Sequence, residues 1–150
     1  MTIAIGTFVE FNGTQRYQNF YTGRSVNWSG NSYQFAGMGY SGSTIDLEGG
    51  NISASLIWAV NELSLNLAAE AAENRWIVQI DAVWIDPDSL GVMDSYMTDV
   101  FMVTGFEHDT LRLSFRLSSP LDAVAADTPR RRLTEELVGA LPSTGQIALL

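Results

Sequence analysis

Thr110-Leu111-Arg112-Leu113-Ser114-Phe115-Arg116-Leu117-Ser118 alternates apolar and polar side chains. Successive residues of an extended strand point to opposite faces. Leu111, Leu113, Phe115 and Leu117 therefore share a dry face, and Arg112, Ser114, Arg116 and Ser118 a wet one. Residues 99–107 precede this strand, and His108-Asp109 between them marks a hairpin.

The pattern extends in both directions. Residues 76–85 read as a strand with Trp76, Val78, Ile80, Ala82 and Trp84 on one side, followed by a loop over residues 86–98 that opens at Pro87. Residues 61–74 read as the one long helix: Asn61 caps it, and Leu63, Leu67 and Ala71 fall on one face, with Ala68, Ala69 and Ala72 raising propensity. Before it, residues 45–47 and 52–59 read as strands. Near the N-terminus, residues 2–11 lead into the hairpin pair Asn12-Gly13, residues 16–21 resume the strand, and residues 25–29 and 32–35 flank a tight turn at Gly30-Asn31.

After Ser119-Pro120 the order weakens. The pattern over residues 133–141 predicts a short helix ended by Pro142, and the tail finishes on Ile147, Ala148, Leu149 and Leu150. The expected fold is mainly β, a barrel or sandwich with one packed α-helix, α+β by strict count. It divides into a β-rich domain over residues 1–126 and a C-terminal interaction arm over residues 127–150.

Composition narrows the function. A domain of 150 residues buries roughly 68–70% of its unfolded surface and needs no staples. No apolar run approaches the ~20 residues that cross a bilayer. The first eleven residues lack a basic flank and do not read as a signal peptide, so synthesis in a cytoplasm is expected. The absence of cysteine excludes disulfides, thiolate metal sites and cysteine nucleophiles. A net charge of −9 leaves no basic face for the nucleic-acid backbone. The cations are eight arginines, and Arg130, Arg131 and Arg132 stand together.

Motifs with chemical meaning lose their context on inspection. Gly37-Met38-Gly39-Tyr40-Ser41-Gly42 has dinucleotide-loop spacing, but strand and turn follow it where a helix must receive the pyrophosphate. It reads as a flexible loop. Asp86-Pro87-Asp88 resembles the start of a calcium loop, yet Leu90 and Met97 stand where oxygen ligands belong. His108, the only histidine, neighbours Asp109, but adjacent strand residues face apart and do not orient one another. The expectation is a protein without catalytic residues, metal or cofactor. Trp28, Trp58, Trp76 and Trp84 read as core or interface anchors. Trp28, Tyr33 and Tyr40 are the alternative, a sugar-stacking platform in a carbohydrate-binding β module.

The order of these pieces resembles the N-terminal domain of the phage minor tail protein L family, the lambda-like tail-tip hub proteins, and related tail proteins of gene-transfer-agent type. The likeness begins at Trp28-Ser29-Gly30-Asn31-Ser32-Tyr33. It runs through the glycine-punctuated residues 37–50, the strand over 52–59, the helix, the strand over 76–85 and the hairpin over 99–118. It ends on Phe115-Arg116-Leu117-Ser118-Ser119-Pro120-Leu121-Asp122 and Pro129-Arg130-Arg131-Arg132-Leu133-Thr134. Several members of the family carry a cysteine-rich region that binds an iron–sulfur cluster. This chain has no cysteine and would be a reduced version of them.

The resemblance implies a structural virion protein of a tail tip or baseplate, made in the host cytoplasm. It implies a homo-oligomeric ring, trimer or hexamer, joining tail tube or adaptor to spike or fibre proteins. DNA would pass through the lumen without specific binding, and no membrane is involved. Arg130, Arg131, Arg132, Ile147, Leu149 and Leu150 are the expected subunit-interface residues. Arginine grips carboxylates in a fixed geometry, and an apolar tail needs a cover from its own core or a neighbour.

Overall fold

A computed structural model describes residues 4–45 and 52–121. Nine strands and one helix follow in the order β1 (Ala4–Phe11), β2 (Gln15–Gln18), β3 (Val26–Trp28), β4 (Asn31–Phe35), β5 (Met38–Ile45), β6 (Ile52–Ala59), α1 (Glu62–Glu73), β7 (Ile77–Ile85), β8 (Val92–His108) and β9 (Arg112–Ser118). All nine strands belong to one sheet, ordered β3-β4-β2-β1-β7-β8-β9-β6-β5. Of the two expected architectures, sandwich and barrel, the single sheet takes the second course by rolling up. β4 and β5 lie near opposite ends of the hydrogen-bonded order, yet only Ala36 and Gly37 separate them. The Ala36 N–H donates to Gln18 O at 2.9 Å, and the Ala59 N–H donates to Gly37 O at 3.1 Å. One continuous run of chain thus passes from β2 to β6 and draws the two ends of the sheet together.

Local chemistry explains the turns. Asn12 and Gly13 both take positive φ, 49° and 70°, as a primed hairpin turn requires. The β3–β4 turn sits one residue earlier than expected: Trp28 pairs with Asn31, so Ser29 and Gly30 are its central residues. Of residues 37–42, all but Gly37 are strand, not a flexible loop. Gly42 absorbs a register shift between Tyr40 and Ser43 at φ 79°, a conformation that glycine adopts at no steric cost.

The barrel interior holds Val9, Phe11, Leu56, Trp58, Val78, Ile80, Phe101, Val103, Leu113, Phe115 and Leu117. Phe11 stacks on Trp58 with centroids 5.7 Å apart, and Phe115 packs against both rings. Helix α1 lies across the end where β6 finishes and β7 begins. Asn61 caps it: the Ser64 N–H donates to Asn61 Oδ1 at 2.8 Å, and the Asn61 N–H donates to Ser64 Oγ at 2.9 Å. This reciprocal box turns Ser64 inward with Leu67, Ala68 and Ala71. Leu63, expected on the buried face, is left 70% exposed.

A second, smaller core lies on the outer face of the barrel. Phe8, Tyr21, Tyr33, Val83 and Ile85 are buried there, with Trp28 packed on Phe8 and Tyr33 at 5.2 and 5.7 Å. Strand β7 is therefore buried on both faces, and not only on the side that Val78 and Ile80 occupy. Gln18 anchors the segment that closes this core with four hydrogen bonds to backbone groups of Phe20, Tyr21 and Arg24.

Candidate functional site

Strand β8, at 17 residues, is about three times the usual strand length, and its two parts have different neighbours. Met102 to His108 pair along β9, and Met102 and Val103 also bond on the other side to β7 and to Trp76 just before it. The ten residues 92–101 pair with β7 alone. The loop expected over residues 86–98 contracts accordingly to a turn before Val92. Its strand content is hidden because two register shifts, between Ala82 and Val83 and between Trp84 and Ile85, break the apolar alternation. β9 stops at Ser118, opposite Met102. The Ser119 N–H turns away to donate to Ile52 O at 3.1 Å, and Pro120 has no N–H to continue a ladder. Residues 92–101 are thus left with one edge unpaired among the described residues.

The face beside that edge is the continuation of the barrel interior. Ile5 pairs with Trp84 and Thr7 with Ala82 across β1 and β7, and Met97 pairs with Ala82 across β7 and β8. By strand alternation these residues share the face of Val9, Phe11, Val78 and Ile80. Further in, that face is packed. Here Ile5 and Tyr96 are each 59% exposed and Met97 37%. Trp84 is half-buried, its ring 5.3 Å from that of Tyr96 at 69°. Tyr40 closes the inner end of the strip by donating its hydroxyl to Asp99 Oδ2 at 2.7 Å. Burial and the Asp99 carboxylate push that hydroxyl well above the ordinary tyrosine range. Asp94 and Asp99 give the strip an acidic character. The barrel is therefore plugged by α1 at one end and runs out at the other into an apolar, acid-bordered strip.

A recess of about 250 Å³ opens at the α1 end, floored by Tyr17 and Trp58 and rimmed by Phe35, Leu63 and Leu67. Its lining suits an apolar side chain, and none of its lining residues is charged.

The residues singled out in the sequence fall as follows. Arg130, Arg131, Arg132, Ile147, Leu149 and Leu150, and the whole arm over residues 127–150, lie outside the described residues. The His108 ring stacks on Phe106 at 6.4 Å and 18°. The Asp109 carboxylate is held by the backbone N–H groups of Leu111 and Arg112, at 2.7 and 2.8 Å, which lower its pKa. Asp109 therefore shapes the β8–β9 turn. Leu111 stands in that turn and is exposed, outside the dry face where alternation put it. Asp86 accepts hydrogen bonds from the Ser89 hydroxyl and the Asp88 N–H, which lower its pKa, and so organises the turn before β8. Among the proposed sugar-stacking residues, Tyr33 is buried beneath Trp28, and Tyr40 is tied to Asp99.

Sequence reading missed the strip because Tyr96 and Met97 fell inside an expected loop. Trp84 at the end of an alternating strand was the one signal pointing to it. No protein-family model matches the chain, and no curated protein matches it.

Proposed function

We propose that this chain is a non-enzymatic structural subunit of a phage-type tail tip or baseplate. It assembles as a trimeric or hexameric ring that joins tail tube or adaptor to central spike or fibre proteins. The observation that carries this reading is the strip of exposed Ile5, Tyr96 and Met97 around half-buried Trp84, beside a strand edge that is unpaired among the described residues. An apolar face and an open backbone edge side by side are what a second chain can cover, through both burial and main-chain hydrogen bonds. Heterologous contacts of one such surface with a different surface of the next copy generate rings.

Two further features agree. The net charge of −9 repels the phosphate backbone, which suits a wall that DNA slides past. His108 and Asp109 are engaged in ring stacking and turn formation. The carbohydrate-binding alternative draws less support, because Tyr33 presents no free ring face and Tyr40 is tied to Asp99.

Native mass spectrometry of the full chain tests the reading. The expected result is a discrete trimer or hexamer that Tyr96→Asp with Met97→Asp converts to folded monomers. A wild-type protein that is monomeric at every concentration refutes it. A response on a glycan array, with quenching of tryptophan fluorescence, would favour the sugar-binding alternative.

A further inference from the structure

We infer that residues 122–150 of this chain are the occupant of the strip beside residues 92–101, an inference that rests on reading the strip as an interface. Three observations converge on it.

The first is position. β9 delivers the chain to Ser118, opposite Met102, at the base of the unpaired edge. Leu121, the last described residue, is 79% exposed. The described chain therefore ends three residues past the base of that edge. The second is reach. Twenty-nine residues, 122 to 150, span up to ~95 Å when extended, against ~33 Å for the ten-residue edge. A fraction of the segment suffices, on this copy or on an adjacent one.

The third is chemistry. The strip combines apolar side chains with the carboxylates of Asp94 and Asp99. The segment combines Leu133, Leu137, Leu141, Ile147, Leu149 and Leu150 with the only run of cations in the chain, Arg130, Arg131 and Arg132. Arginine and carboxylate form charge-assisted, often bidentate pairs. The recess under α1 accepts apolar groups as well, but its uncharged lining offers nothing to the arginines.

Cysteine crosslinking in the full chain tests the inference cleanly, because the chain has no cysteine of its own. Tyr96→Cys is paired in turn with Leu133→Cys, Leu141→Cys and Leu149→Cys. The control series carries the same three with Ile57→Cys, an exposed position on β6, two strands from β8 in the sheet. A disulfide forms only where Cα atoms come within about 7 Å. Docking on the strip raises the local thiol concentration, so at least one Tyr96→Cys pair is expected to oxidise about tenfold or more faster than its control. Rates equal to the controls for all three pairs overturn the inference.

The mass of the crosslinked product keeps the two readings apart. A ring whose Tyr96→Cys pairs do not crosslink removes the docked segment and leaves the ring. A monomer that crosslinks within itself keeps the docked segment and removes the ring. A crosslinked dimer places the segment of one copy on the strip of the next and supports both.

Discussion

Gln18→Met probes how the outer aromatic core is held down. The Gln18 side chain is fully buried. Its Oε1 accepts from the N–H groups of Phe20 and Tyr21 at 2.8 and 2.7 Å, and its Nε2 donates to Tyr21 O and Arg24 O at 2.9 and 3.0 Å. Methionine preserves volume and an unbranched shape but satisfies none of these four groups. The two Tyr21 bonds are buried, whereas those to Phe20 and Arg24 are partly buried and within reach of water. Each buried group left without a partner costs about 1–3 kcal/mol, so the loss comes to about 4 kcal/mol. That is a large share of the 5–15 kcal/mol typical of a domain.

Urea unfolding followed by tryptophan fluorescence measures the effect. With a slope of about 2 kcal/mol per molar, the midpoint falls by about 2 M at unchanged slope. A loss below about 1 kcal/mol refutes the argument.

Gln18→Glu adds a check of sign. The new oxygen would face Tyr21 O and Arg24 O, and burial with that arrangement raises the folded-state pKa above the ordinary ~4.3. The neutral acid, which can still donate, is the form that the fold favours. This variant is therefore most stable below the unfolded pKa and loses stability as pH climbs towards the raised folded value. Stability that rises with pH across that window refutes the assignment.

Two further predictions follow from the same region. At Gly6 an added Cβ meets Ile85 Cδ1 at 2.6 Å and Phe20 Cβ at 3.2 Å, so Gly6→Ala overpacks the junction of β1 with the outer core. It should lower stability by about 1–3 kcal/mol in thermal or urea unfolding, and an unchanged midpoint refutes the close approach. The Tyr33 hydroxyl is pushed from 10.0 up to about 12, chiefly by burial, with the Glu10 and Asp81 carboxylates adding and Arg16 opposing. Neutral tyrosine is the form that the fold favours. Its contribution of about 2–3 kcal/mol is whole below pH ~10 and fades as pH rises towards ~12. Ultraviolet titration of Tyr33→Phe against the parent, together with alkaline unfolding of both, measures it. Equal alkaline stability of the two proteins refutes it.

Local chemistry made part of this fold legible in advance. The alternation of Leu113, Phe115 and Leu117 with Arg112, Ser114 and Arg116 marks β9 as half-buried, and all three apolar residues are buried. Asn12-Gly13 marks its turn because few other pairs tolerate positive φ at both positions. Asn61 marks the start of α1 through a bond made within four residues.

Failures began where a residue has two plausible environments. Leu63 fits a helical stripe as well as Ser64 does. Which of them faces the core was decided by the Asn61–Ser64 box and by the Ser64 hydroxyl donating to Ala59 O. Residues 92–98 do not alternate because bulges shift their register against β7, and a bulged strand reads as a loop.

What the sequence by itself determined is the identity of most elements, since turns, caps and alternation are written within a few consecutive residues. What only the tertiary structure decided is closure and exposure. Ala36 and Gly37 carry the chain across the seam of the rolled sheet, β7 is covered on both faces, and β8 outruns β9 to leave Ile5, Tyr96 and Met97 exposed. These outcomes depend on which strands of very different sequence position become neighbours. Hydrogen-bond pairing between distant strands leaves no periodic trace in either strand alone.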